Sequence, residues 1–253
     1  MKYEYRIIDK EKGLVQVTTT DERFYGKIML IDGKEVFNWK PSITFITASY
    51  PKGRGYEKWL GDKGWDKAEE IKNSAGDRGT IVHHAFQALI EDGEIKIDQK
   101  FKDRDGVERE LTADEYYCVI TGGQWYVSVG KPKPILIEKT VESEEYGYAG
   151  TLDYLFQFPD YTLLLDLKTS KAVYTSHELQ LTVLEQACTE NGYKVDKRAI
   201  LQVGYTANKN QHWKFTETDA DLPLFLATKQ IWAKEYGGQR PLQRDYPLVI
   251  NIK

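Results

Sequence analysis

Apolar and polar positions alternate with two periods along this chain, and the switches between them mark its elements. Residues 1–40 alternate in places, as at Tyr3, Tyr5 and Ile7. With turn pairs at Lys12-Gly13 and Asp32-Gly33, they predict a small β-meander. Pro41 opens a new segment. Residues 55–73 are charged, with Tyr56, Trp59, Leu60, Trp65, Ala68 and Ile71 suggesting a helix broken near Gly61 to Gly64. Ile81, Val82, Ala85, Phe86 and Leu89 form the stripe of a helix over 79–91 that ends at Asp92-Gly93. Residues 94–112 carry charge without a period, which reads as a loop or an extra hairpin, and 113–128 as a helix. Ile135-Leu136-Ile137 starts a strand. Ser176 reads as the N-cap of a helix to about Glu190 that Gly192 closes. Strands over 198–206 and 212–217 and a helix from Leu222 to Tyr236 follow. Helices flanking a mixed sheet give an α/β sandwich.

The densest chemistry lies between Gly150 and Lys171, GTLDYLFQFPDYTLLLDLKTSK. It reads as a β-hairpin. Strand side chains alternate faces, so Asp166 and Lys168 point the same way. If Pro159 and Asp160 are the central residues of the turn, Asp153 falls directly opposite Asp166. Proline excludes a type I′ turn at that position and fits type I. A two-residue shift of register keeps both carboxylates on one face, and a one-residue slip separates them. Facing carboxylates repel, and a hard divalent cation with oxygen ligands is the natural counter-charge. The plain alternative is a surface hairpin with scattered charge. Against it stands Leu163-Leu164-Leu165, which implies a buried central strand where an Asp-x-Lys is costly.

Composition narrows the classes. The 253 residues suit one mid-sized α/β domain with additions. No run of about eighteen apolar residues predicts a transmembrane helix, and the start, MKYEYRIIDKEK, resembles neither a signal peptide nor a transit peptide. Cys118 and Cys188 read as buried thiols in a reducing compartment, and two cysteines cannot hold an iron–sulfur cluster. There is no Walker A motif. A net charge of −4 argues against strong non-specific duplex binding, although a local basic groove can coexist with it. Candidates for such a groove are Lys52, Arg54, Lys58, Lys168, Lys171, Arg240 and Arg244.

Gly150, Thr151, Asp153, then Asp166, Lys168 and Thr169 resemble the core of the PD-(D/E)xK nuclease superfamily, in particular its RecB-like branch. Arg78-Gly79-Thr80-Ile81-Val82-His83 is similar to the helix whose histidine joins the metal site in that branch. Gln180 in SHELQLTVLEQA is similar to its glutamine motif. PSITFITASY, followed by Trp59 and the His83 helix, resembles phage-type and mitochondrial-genome-maintenance-type exonucleases. Leu152 stands in place of the superfamily's proline, and Leu184 in place of an aromatic after the glutamine. The resemblance covers about residues 41–190. It implies a restriction-endonuclease-like α/β core over 41–253, with the meander of 1–40 packed on it.

What the resemblance implies for function is equally specific. Asp153, Asp166, the Leu167 carbonyl and His83 would bind Mg²⁺ or Mn²⁺, with Glu138 or Glu142 as a possible further acid. Lys168 would stand beside the scissile phosphate. Gln180 would orient that lysine or a phosphate, against the plainer reading of a helix-surface glutamine. Thr169, Ser170 and Lys171 would meet phosphates. Trp59, Tyr146 and Tyr148 are candidates for stacking on bases, and His84 for a structural role. The implied activity is a metal-dependent DNA exonuclease acting from a free end, on single strands or ended DNA. Its setting would be phage or bacterial recombination, repair or replication in the cytoplasm, with a recombination or replication protein as a possible partner. The alternatives are a catalytically silent nucleic-acid-binding subunit and a structure- or site-specific endonuclease.

Overall fold

The computed structural model describes residues 5–18 and 23–237. Tyr3, Arg240 and Arg244 therefore lie outside the described residues. Strands β1 (Arg6–Asp9), β2 (Leu14–Thr18), β3 (Arg23–Ile31) and β4 (Lys34–Pro41) pair antiparallel in sequence order, which is the expected meander. Asp32 and Gly33 both take positive φ, 52° and 74°, as a two-residue hairpin turn requires.

The Ser42 hydroxyl then caps α1 (Ile43–Thr47) by accepting the Phe45 N–H at 3.0 Å. Next come α2 (Arg54–Lys63) and α3 (Trp65–Asp92), separated at Gly64, whose φ is 75°. The break is where the glycines predict it. The second expected helix, however, is not separate. α3 runs unbroken for 28 residues through Gly76 and Gly79. Each glycine costs roughly 1 kcal/mol against alanine, and burial of Ala68, Ile81, Val82, Ala85 and Phe86 along one face outweighs that cost.

The charged segment contains a hairpin, β5 (Lys100–Lys102) and β6 (Glu108–Glu110). A capping box between Thr112 and Glu115 opens α4 (Ala113–Ser128). The remaining elements are β7 (Lys133–Ser143), β8 (Tyr148–Gln157), β9 (Thr162–Lys168), α5 (Thr175–Glu190), β10 (Lys197–Val203), β11 (Trp213–Glu217) and α6 (Leu222–Tyr236). The N-cap of α5 is Tyr174, two residues before the expected Ser176, because the backbone turns helical directly after Tyr174.

The second sheet has the order β11-β10-β9-β8-β7. β10 runs parallel to β9, and the other pairs are antiparallel. One face carries α1, α5 and α6 on a core that includes Ile46, Leu164, Leu181 and Phe225. The other carries α3 and α4 on Phe86, Trp125, Leu165 and Leu201. The expected mixed sheet between helices, with an N-terminal antiparallel sheet, is thus present. Cys118 and Cys188 are free and buried, and burial pushes their thiols up to about 11 and about 12. No helix among the described residues is long and apolar enough to cross a membrane.

Two contacts fasten the first sheet and the α1 that follows it to the second sheet. Gly150 on β8 lies so close to α1 that a Cβ there would stand 2.5 Å from Ile43 Cδ1. Lys40 and Lys27 reach across to Glu142, at 2.7 Å and 2.8 Å, and both also meet Glu144. Glu142, one of the acids considered for the metal site, is thereby committed to this clasp. Lys40 and Glu142 are both about 95% buried, and removing Glu142 leaves Lys40 with the exposed Glu144 alone. Glu142→Ala is expected to cost about 1–3 kcal/mol in urea unfolding, whereas Lys67→Ala, in the exposed Lys67–Glu70 pair, should cost under about 1 kcal/mol.

Candidate active site

The β8–β9 hairpin turns at Pro159-Asp160, where the Phe158 N–H donates to the Tyr161 carbonyl at 2.8 Å. Its ladder runs from Gln157 opposite Thr162 to Tyr154 opposite Leu165, which is the expected register. One step further, Asp153 is level with Asp166 and the ladder stops. There Asp153 Oδ2 accepts the Leu167 N–H at 2.7 Å. A carboxylate has taken the place of a strand carbonyl, and the two strands part around it.

The third acid comes from β7. Pairing of Ile137 with Tyr154 and Lys139 with Leu152 puts Glu138 level with Asp153. Glu138 has φ 45°, in the left-handed region that a non-glycine residue adopts at a cost of about 1–3 kcal/mol. Strand alternation reverses at the same level. Leu152 and Tyr154 would share a face of a regular strand, yet they pack into opposite cores. The strands roll over here, and Glu138, Asp153 and Asp166 stand at one level of three adjacent strands.

His83 of α3 faces them. Its Nε2 lies 2.9 Å from the Leu167 carbonyl, and its Nδ1 lies 3.3 Å from Glu138 Oε1 and 3.6 Å from Asp153 Oδ1. Burial alone would push the imidazole down, but the Asp153 and Glu138 carboxylates lift it to about 9. Ring nitrogens surrounded by acceptors are donors, so His83 is an imidazolium here. For Asp153, burial raises the carboxyl while His83 opposes it. One ligand atom from each of His83, Glu138 and Asp153 lies within 4.8 Å of the others. An imidazole nitrogen with two carboxylates is a fitting donor set for Mg²⁺ or Mn²⁺, its nitrogen favouring the latter.

Asp166 stands just behind. Its two oxygens lie 2.8 Å and 2.7 Å from Lys168 Nζ, so the pair does share a face. Burial would lower the Lys168 ammonium, but Asp166 and Asp153 outweigh it and raise it. Burial raises the Asp166 carboxyl against the pull of Lys168.

Several expected partners sit elsewhere. Gln180 does not reach Lys168. It donates to the Thr47 hydroxyl of α1 at 3.4 Å, because the phase of α5 turns it toward that helix. His177, one turn earlier on α5, is the residue that senses the pair: burial and the Lys168 charge push its imidazole down to about 4. Its spacing of three from Gln180 was the available signal in the sequence. Ser170 donates its hydroxyl to the Ala172 carbonyl, and Thr169 is buried, so these loop groups are taken up internally. Lys171 is exposed. The Thr169 carbonyl accepts from the Arg78 guanidinium, and the Ser170 carbonyl from Gln202 Nε2 at 2.9 Å. Trp59 is half-buried beside Tyr56 on α2, with ring centroids 5.6 Å apart. Tyr148 is fully buried, its hydroxyl on the Val183 carbonyl, and cannot meet a base. Tyr146 stacks against it from the outside. His84 does not join His83, Glu138 and Asp153 and meets the Lys102 carbonyl of β5 at 2.8 Å instead.

No protein-family model matches the sequence, and no curated protein matches it. Among solved structures, the chain is similar to an alkaline exonuclease, LHK-Exo, from Laribacter hongkongensis. The identity is 9%, with a TM-score of 0.39 over 77% of this chain and 84% of that one. LHK-Exo in complex with dAMP gives 10%, 0.39, 77% and 85%. At these values the likeness carries no argument about chemistry, which rests on the geometry above.

The charge state of His83 is directly measurable. Its folded value lies above the ordinary 6.5, so its contribution to stability is complete below pH 6.5 and is lost as pH rises through about 9. In metal-free protein, NMR of the ring should show titration near pH 9, and Asp153→Asn should bring it down. The thermal midpoint should decline between those two values, and His83→Gln should flatten the decline. Titration at or below 6.5 would remove the imidazolium from this account.

Proposed function

We propose that this protein is a metal-dependent deoxyribonuclease that hydrolyses phosphodiester bonds from a free DNA end. The observation that carries the reading is the meeting of His83, Glu138 and Asp153 where a buried hairpin parts, with the Asp166–Lys168 pair immediately behind. Mg²⁺ or Mn²⁺ would be held by His83, Glu138 and Asp153, with Asp166 and the Leu167 carbonyl adjacent. When bound, the ion supplies charge neutralisation on the phosphate and acidifies water. His83 must lose one proton to ligate through the freed nitrogen, and Asp153 must be ionised. Lys168 keeps its positive charge and offers it to the negative charge that develops on the phosphate. Asp166 fixes the ammonium in place. His177, neutral above about pH 4, leaves Lys168 as the cation on that side.

The sequence resemblance supports the finer parts of the reading. They are digestion from an end, a role in recombination, repair or replication of phage or bacterial DNA, and a cytoplasmic setting.

End-labelled single-stranded and duplex DNA, beside covalently closed circles, should separate the outcomes on a gel with Mg²⁺. Linear DNA should be degraded and circles spared. Prompt cutting of closed single-stranded circles would turn the assignment to an endonuclease.

Alanine at Asp153, Asp166 or Lys168 should abolish hydrolysis. Calorimetric metal titration should divide the variants. Asp153→Ala and Glu138→Ala should bind Mn²⁺ more weakly, and Lys168→Ala should retain it, because an ammonium is no ligand. Near-native cleavage by any of the first three variants would refute the catalytic assignment, and a wild-type chain that binds DNA without cutting it would be a silent subunit.

A further inference from the structure

The parallel strands β9 and β10 end side by side, with Gln202 paired to Lys168. In open α/β sheets ligands gather outside the carboxyl ends of such strands. Beyond Gln202 the chain turns sharply at Gly204, whose φ is 96° and whose N–H donates to the Thr121 hydroxyl at 3.0 Å. A Cβ at that position would lie 2.7 Å from Cys118 Sγ. This turn lays the Tyr205 ring flat on Tyr117 of α4, with centroids 3.9 Å apart and planes 7° from parallel. His212, itself at φ 56°, closes the group. Its Nδ1 is hydrogen-bonded to the Tyr117 hydroxyl, and its ring lies 5.5 Å and 5.4 Å from the two tyrosines.

The stack is built from both sides, yet Tyr205 remains 57% exposed. Three chain steps separate it from Gln202, a reach of at most roughly 10 Å. The same Gln202 is bonded to the loop that follows Lys168. A fixed, flat aromatic face therefore stands three chain steps beyond the strand neighbour of Lys168. Lys209 lies in the same loop and Lys171 in the loop that follows β9, and both are exposed.

We propose that Tyr205, backed by Tyr117 and His212, is a platform on which an unpaired base of the DNA strand stacks while its backbone passes Lys168. This rests on the nuclease reading above. The chemistry favours a nucleobase because the platform offers a planar π-face without a specific hydrogen-bonding edge, and stacking of this kind tolerates any base. It favours an unpaired base because the faces inside a duplex are already covered by neighbouring base pairs. Of the aromatics singled out in the sequence, Tyr148 has no free face, whereas Tyr205 keeps one and is stacked only by the fold.

The test uses the full chain with Ca²⁺ and a fluorescent single strand of about twelve thymidylates, followed by anisotropy. Tyr205→Ala should weaken binding by about 5- to 150-fold. Tyr205→Phe and Tyr205→Trp should stay within about twofold of wild type. A strand with abasic sites should lose a similar factor on the wild-type chain and little more on Tyr205→Ala, while a blunt duplex should not distinguish the variants. Tyr205→Ala binding as wild type does, or Tyr205→Phe falling as far as alanine, would overturn the platform while hydrolysis of DNA by the wild-type chain kept the nuclease reading intact. A duplex that loses as much as the single strand would make the occupant a terminal base pair and overturn the unpaired base. Failure of the wild-type chain both to bind and to cut DNA would bring down the two proposals together.

Discussion

Three carboxylates held at one level of three adjacent strands repel one another, and much of this structure answers that repulsion. At an effective dielectric near 20, two charges 4 Å apart interact by about 4 kcal/mol. Glu138, Asp153 and Asp166 are offset by the His83 imidazolium and the Lys168 ammonium. Delivering that imidazolium requires α3 to lie across the sheet with His83 inward, and delivering the ammonium requires Lys168 two residues after Asp166 on a strand. The left-handed backbone at Glu138 and the interrupted ladder at Asp153 are the local cost of bringing the acids together.

Buried charge is used in two ways in this chain. The clasp between the sheets sets Lys27 and Lys40 against Glu142 and Glu144, so it is neutral within itself. The cluster at the hairpin sets three carboxylates against one imidazolium and one ammonium, and so has a carboxylate in excess. A divalent cation suits the second arrangement and has no place in the first. This difference separates Glu142 from Glu138, which stand four residues apart on one strand and looked alike in sequence.

What could be read from the sequence was what local chemistry decides. The position of Pro159-Asp160 fixed which residues face each other across the hairpin, and Leu163 to Leu165 marked the strand as buried. The bounds of α6 followed from its own pattern. Long-range packing decided the rest. The stripe that holds α3 together across two glycines gains its value only against α4 and the sheet. Gln180 and His177 differ by one turn of α5, and which of them meets Lys168 depends on how that helix rolls against α1. The Tyr117–Tyr205 stack joins residues 88 positions apart that no shared periodicity connects.

Gly150 belongs to the motif that first drew attention to the hairpin, yet it touches no charged group of the site. Its missing side chain makes room for Ile43, so that α1 can lie against β8. The Gly-Thr-x-Asp string thus joins two independent physical constraints, one for an acid and one for the seat of a neighbouring helix. A distant homologue that had lost α1 would be free to replace the glycine and keep the aspartate. Divergence at that position would then trace the remodelling of the surrounding scaffold, and would say nothing about whether the chemistry had been lost.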